Sequence, residues 1–419
     1  MDSIREIALF EGGKLLCYQT KRFKSTRITI RFVLPMHADT VSNFAAVPGL
    51  IRYASKRYPE TVQMERKLAS LYGAGFSAIA TKAGDMQVLS FTISTIADKF
   101  AFEGESISEE CLRFLTECIF EPDLDENGLF KPENLAREKR LMIEDIKNAM
   151  GDKMQYSLNR FSALFYEGEG AAVQSTGTRE QVEQLDVRGV TAAWHRMLEQ
   201  ASVLVCAVGD LNVDSVVEVL QSRFASCKRA WEPMHSVPHT PRLNVVKQQD
   251  IEPLEQCKLN LGFSVTSEDE DALKVMNMVF GQSEMSRLSK VVREKMSLCY
   301  YCSSAFGAKK KVVIVYSGID AHDADKAVEA ICRQLEAIQS GDFTQEEIDI
   351  AKRKMKDAYL SSLDTPADIA QWYLPQMLED EVKSVEKSIQ NIMAVDKARI
   401  TACAKTVKPE CIYTLGEQV

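Results

Sequence analysis

Five histidines, eleven cysteines and the absence of a serine elbow limit what this chain of 419 residues can do chemically. His37 and His195 stand alone, and His322 follows the end of an apolar run in Gly318-Ile-Asp-Ala-His322. His235 and His239 have the i, i+4 spacing of a metal-binding helix, but Pro238 between them breaks that helix, so both read as solvated loop residues. Cys299-Tyr-Tyr-Cys302 is the one C-x-x-C pair. A metal knuckle would need a second pair, and a regular strand sends residues three apart to opposite faces. No Gly-x-Ser-x-Gly elbow is present, and no Cys and His share a recognisable nucleophile setting. None of these groups supports an autonomous hydrolase.

Three further segments gather charged, hydroxyl and phenol groups. They are Gly49-Leu-Ile-Arg52-Tyr-Ala-Ser55-Lys56-Arg-Tyr58-Pro59, Glu138-Lys-Arg-Leu-Met-Ile-Glu144-Asp145-Ile146, and Arg293-Glu-Lys-Met-Ser297-Leu-Cys-Tyr300. A catalytic zinc needs about three ligands drawn from neutral imidazole, thiolate or carboxylate, and Arg52, Ser55 and Lys56 supply none. Asp145 reads as a solvated or salt-bridged helix carboxylate. Taken alone, Arg293 reads as a helix-surface cation and Tyr300 as a strand residue with its hydroxyl at the rim.

The elements that must carry these segments are legible from periodicity. Alternating patterns predict strands over Ile28–Leu34, Met86–Ile93 and Lys311–Tyr316. Three- and four-residue apolar spacing predicts amphipathic helices over 107–120, 134–150, 212–225, 323–338 and 344–362. Asp210 before Val213 and Thr344 with Glu347 read as helix caps, the latter as a capping box. An internal duplication organises the whole chain. Gln184-Leu-Asp186-Val-Arg-Gly-Val-Thr-Ala-Ala is matched half a chain later by Ala394-Val-Asp396-Lys-Ala-Arg-Ile-Thr-Ala-Cys, and each copy leads into a β-rich segment ending in Gly. Glu138 to Asp152 stands opposite Ile350 to Asp364, and Met64 to Tyr72 opposite Ser286 to Arg293. Pro233, Pro238 and Pro241 suit a connector. The reading is therefore an N-terminal lobe over 1–227, a linker over 228–250 and a C-terminal lobe over 251–419, each an α+β lobe with helices covering a sheet.

A content of 45% hydrophobic residues is enough for full cores. A net charge of −9 disfavours nucleic acid as a partner, since phosphate binding needs a clustered basic face. The apolar runs fall far short of the roughly 20 residues that span a bilayer, and Met1-Asp-Ser-Ile-Arg-Glu does not open a secretory signal, so no membrane role is expected. Scattered cysteines suit reduced thiols in a cytoplasm.

The landmarks Gly49 to Tyr53, Tyr58-Pro59, Leu71-Tyr-Gly-Ala74, Glu138 to Ile146 and Arg293 to Tyr300, in that order and spacing, resemble the insulinase/pitrilysin family of zinc peptidases over essentially the whole chain. The resemblance is to its short, two-lobe, zinc-less bacterial branch. It implies an α+β fold of two homologous lobes, each a mainly antiparallel sheet covered by helices, in a clamshell like that of mitochondrial processing peptidase. It puts Arg52 and Lys56 where the family has its two histidine ligands, Ser55 at the general base, and Asp145 at the third ligand. It makes Arg293 and Tyr300 the groups that reach the substrate peptide and its transition state, with Ser297 where the family pattern has Gly. The expected function is that of a non-catalytic subunit without a cofactor of its own, paired with a zinc-bearing sibling, or a homodimer in isolation. The partner class is a peptide or unfolded segment, and the family association is with elongation factor P modification. The alternative is a scaffold with no part in catalysis.

Overall fold

The computed structural model describes residues 2–379 and 381–417. The first half runs β1 (Ser3–Phe10), β2 (Gly13–Gln19), β3 (Ser25–Pro35), α1 (Val41–Tyr53), α2 (Thr61–Ser70), β4 (Gly75–Ala83), β5 (Met86–Ile96), α3 (Ile107–Phe120), α4 (Pro132–Gly151), α5 (Lys153–Phe165), α6 (Arg179–Glu183), α7 (Val187–Gln200), β6 (Ser202–Gly209) and α8 (Val213–Phe224). The second runs β7 (Val246–Ile251), β8 (Cys257–Val265), α9 (Glu270–Asn277), two π-helical turns over Met278–Gln282 and Leu288–Lys295, and β9 (Cys299–Gly307). It continues with β10 (Val312–Ile319), α10 (Ala324–Ser340), α11 (Gln345–Ser361), α12 (Pro366–Tyr373), α13 (Val385–Met393), α14 (Lys397–Ala404) and β11 (Val407–Gly416).

The duplication is visible in this order. The N-terminal sheet is arranged β1-β2-β6-β3-β5-β4 and the C-terminal sheet β7-β11-β8-β10-β9, so the second repeats the first without its outer hairpin strand. Each is mainly antiparallel, with one parallel pair at the matching place: β2 with β6, and β7 with β11. The duplicated Asp residues do the same work. Asp186 accepts from Gly189 N–H at 2.7 Å to cap α7, and Asp396 accepts from Arg399 N–H at 2.8 Å to cap α14, each satisfying a free donor of the first turn. Thr344 and Glu347 close the predicted box reciprocally, at 2.7 and 3.2 Å. Asp210 does not cap α8; Asn212, two residues on, accepts from Ser215 N–H.

The chain divides into two compact units, and the cuts differ from a single break at 228–250. One unit comprises 1–148, 173–235 and 362–383; the other comprises 149–172, 236–361 and 384–419. Each sheet is closed on one face by helices of its own half and on the other by a segment from the opposite half. In the first unit, Ile28, Ile30, Phe32 and Leu34 of β3 face α1, α3, α7 and α8. The opposite face, with Leu16, Val33, Leu204 and Val208, is covered by Ile369, Tyr373, Leu374 and Met377 of α12 and the turn after it. In the second unit α9, α10, α11 and α14 cover one face. Phe161 and Phe165 of α5 cover the other, against Val312, Tyr413 and Leu415. Gly262 of β8 makes room there, since a Cβ would come within 2.7 Å of the Phe165 ring. Strands buried on both faces lose the strict alternation of half-buried ones.

The 228–250 segment is packed on both sides of the division. Arg229 donates to the carbonyls of Leu198 and Ala201 at 2.7 and 2.6 Å, and Trp231 to Ser202 at 2.8 Å. On the other side, β7 begins at Val246 and His239 is buried. No described helix is long and apolar enough to cross a membrane.

Candidate functional site

In the first unit the three residues aligned with the family's zinc motif do not share a helix. α1 ends at Tyr53, leaving only Arg52 in its last turn. Beyond it, Ser55 and Tyr58 exchange backbone hydrogen bonds at 3.0 and 3.1 Å, and Ser55 bridges to Pro122. Metal ligands four apart need an uninterrupted helix to share a face. Here the backbone has turned away before the second position. Arg52 donates to Glu65 at 2.9 Å and lies over the Phe76 ring, 5.2 Å from its centroid. Ser55 is fully buried, its hydroxyl accepting from Tyr58 N–H at 3.2 Å. Lys56 is exposed, with its N–H donating to the Glu121 carbonyl. The residues do not fit a zinc ion in type or in placement.

α4 brings two carboxyls to this region. Asp145, in the third-ligand place, is exposed, in keeping with a solvated helix carboxylate. Glu138, which the sequence reading did not single out, is 8% exposed and lies against Gly49 so closely that a Cβ there would overlap its carboxyl group. Burial pushes Glu138 up to about 7; the nearby Asp145 charge adds to the rise and Arg137 opposes it. The signal was present in the sequence as a glutamate one helical turn pair before Asp145, but nothing there showed that it faces inward.

In the second unit the Arg293–Tyr300 segment forms a continuous turn into an edge strand. The π-helical turn Leu288–Lys295 ends with Met296 N–H donating to Val291, and Leu298 N–H donating to Val292. Ser297 between them has φ 53°, the left-handed conformation that glycine adopts without penalty. A left-handed position of this kind favours glycine, the residue that the family pattern has there. Arg293 pairs with Glu294 at 2.9 Å and remains partly exposed.

β9 pairs with β10 until Tyr301 opposite Gly318; the next pair is Cys299 opposite Ile319. Tyr300 is therefore the extra residue of a β-bulge, which expels its side chain. The ring is 59% exposed and its hydroxyl donates to Asp320 at 3.3 Å. The Asp320 charge raises the phenol above its ordinary range. The bulge also overturns the expectation that Cys299 and Cys302 point apart: both are buried in the same core.

Two histidines sit among carboxylates. His239 is not solvated. Its ring lies between Glu169 at 2.7 Å and Glu410 at 3.0 Å, with Lys310 reaching Glu169 at 2.6 Å, a buried network that fixes the segment entering the second unit. His322 is exposed, and with Asp320 and Asp323 it forms the one cluster of metal-capable groups among the described residues. Asp323 already pairs with Lys326 at 3.0 Å.

Residues 188–355 match the model described as the peptidase M16 inactive domain. The chain is 27% identical to the probable inactive metalloprotease YmfF of Bacillus subtilis, over 99% of this chain and 98% of that one. The chain is thus similar to inactive members of the M16, or insulinase, family. It is also 25% identical to YmxG of the same organism, described as an uncharacterised zinc protease, over 77% of this chain and 78% of the other. A crystal structure of a conserved Enterococcus faecalis protein superposes with a TM-score of 0.90 at 25% identity, covering 99% of both chains. The α+β lobes with helix-covered, mainly antiparallel sheets are those of this insulinase-family fold. Arg52, Ser55 and Lys56 offer no zinc ligand in this chain, and the relative it matches end to end is itself described as probably inactive.

Proposed function

We propose that this insulinase-family chain is the zinc-less subunit of a two-chain metallopeptidase, holding substrate peptide through Arg293 and Tyr300 while a zinc-bearing sibling supplies metal and base. The observation that carries the reading is the bulge in β9, which presents the Tyr300 phenol to solvent one strand-turn after Arg293. Arg293 would give charge-assisted hydrogen bonds to peptide carbonyls, and Tyr300 a donor for the oxyanion of a tetrahedral intermediate. Sheet edges at β4 and β9 offer main-chain partners for an extended peptide, a mode of binding that makes small sequence demands. Bacillus subtilis has both an inactive relative and a relative described as a zinc protease, which fits a paired arrangement. The setting we favour is cytoplasmic, with elongation factor P modification as the first pathway to examine and a homodimer as the state without the sibling.

Co-purification from native cells should yield a near-equimolar partner carrying His-x-x-Glu-His. In the reconstituted pair, Arg293→Ala should lower kcat/KM about 10- to 100-fold, the scale of a charged hydrogen bond. Tyr300→Phe should lower kcat about 100-fold, the scale of a lost oxyanion donor, with metal content unchanged. Unaltered peptidase activity in both variants would remove the clamp role.

One feature favours the scaffold alternative. Tyr300 donates to Asp320 and Arg293 is paired with Glu294, so both groups must leave a carboxylate to serve a peptide. Titration of the isolated chain with peptide separates the readings, since a pure scaffold shows no saturable binding that depends on Tyr300.

A further inference from the structure

We infer that Cys299 and Cys302 form a peroxide-sensitive dithiol, with Cys299 as the thiol attacked and Cys302 as the resolving thiol. The two cysteines are separated by Tyr300 and Tyr301, and in an unbroken strand their side chains would project to opposite faces. The bulge at Tyr300 removes one residue from the count, so they stand as i and i+2 neighbours on one face. Two residues of strand span about 6.6 Å, at the upper end of the roughly 4.4–6.8 Å Cα separation that a disulfide bridges. Both thiols are buried in the same core, and Ser317 stands opposite Cys302 on β10.

The pair is asymmetric. The adjoining Cys302 lowers the Cys299 thiol, with a smaller contribution from the Arg293 guanidinium and against the effect of burial, while the adjoining Cys299 and then burial raise Cys302. Cys299 also opens the edge strand of its sheet, covered by a neighbouring strand on one side only. The other free cysteines whose thiols are shifted are all raised by burial, which makes them poor nucleophiles.

The chemistry balances with hydrogen peroxide as oxidant. Cys299 thiolate attacks one peroxide oxygen, the S–O bond forms, the O–O bond breaks and hydroxide leaves. Cys302 sulfur then attacks the sulfenic sulfur, the S–S bond forms, the S–O bond breaks, and water departs with the Cys302 proton. Two thiols are oxidised to one disulfide and one peroxide is reduced to two waters once the hydroxide takes up the proton that Cys299 lost. Closing the bridge tightens the bulge, and any effect on peptide binding rests on the reading of Tyr300 above; the modification itself does not.

The test uses the full chain, folded, exposed to hydrogen peroxide, then alkylated under denaturing conditions, digested with trypsin and weighed. The peptide running from 296 to 309 contains both cysteines and should lose two hydrogens, regained with dithiothreitol, while the remaining cysteines stay alkylatable. In Cys302→Ser, Cys299 should accumulate a sulfenic acid trapped by dimedone; in Cys299→Ser, Cys302 should stay unlabelled. A native chain whose 296–309 peptide keeps both thiols, or whose Cys299 bridges to any other cysteine, overturns the inference. So does equal labelling of Cys302 in Cys299→Ser. If a serine variant fails to fold, brief iodoacetamide labelling of the native chain decides the polarity: Cys299 should be modified first, and Cys302 first would refute it.

Discussion

The turn after α1 and the turn before β9 carry charged segments of the two halves, and they have opposite characters. The first is sealed. Ser55 is fully buried, its backbone closes on Tyr58, and the carboxyl that approaches from α4 is packed against Gly49. The second is presented: Ser297 keeps a left-handed backbone, and the bulge puts Tyr300 out at 59% exposure. The difference separates a packed segment from a displayed one. Ser55 is part of the packing, whereas the Arg293–Tyr300 segment holds its side chains out.

The largest expected effect tests the sealed side. Glu138 has a folded-state value of about 7 against an ordinary 4.5, so the folded chain holds this proton more tightly than the unfolded chain does. Its contribution is fully present below about pH 4.5 and is lost as pH rises through 7. The loss by pH 8 is on the order of 3 kcal/mol. Glu138→Gln should recover most of it at pH 8 and flatten the pH dependence between 5 and 8 in urea melts. An unchanged profile would mean that the carboxyl is not buried as described.

Next in size, Gly49→Ala should destabilise by about 1–3 kcal/mol, the usual cost of overpacking. Glu138→Ala in the same chain should relieve part of that cost, and additive effects in the double variant would show that the two do not touch. The smallest effect falls on the presented side. Ser297→Gly should stabilise by about 1 kcal/mol, because glycine removes the left-handed strain. A loss of stability there would mean that the turn is not the one described, and the contrast between the two regions would fail.

Much of this was legible in the sequence. The strands around Ile28, Met86 and Val312 and the helix over 107–120 fall where periodicity puts them, because a face buried against a sheet imposes its period on the residues. The paired Asp186 and Asp396 revealed the duplication because capping is local chemistry. What periodicity reports is that a face is covered, not what covers it. The roles of α5 and α12 on sheets of the opposite halves were therefore hidden, and a single linker was the natural reading where the compact units are cut at several places. His239 looked solvated because proline composition reports broken helix, not exposure. The Cys299–Cys302 prediction failed on one residue, since an inserted bulge reverses the facing of everything before it.

Because residues 362–383 complete the first sheet, synthesis of that sheet outruns its cover. A ribosome has released β1 through β6 long before α12 emerges, and for that interval Leu16, Val33, Leu204 and Val208 form an open apolar surface on a nascent chain. The delay is a matter of chain order, not of stability. It makes the first half a client for chaperones during translation, and it makes a protein truncated before Pro366 an aggregation hazard rather than a working half.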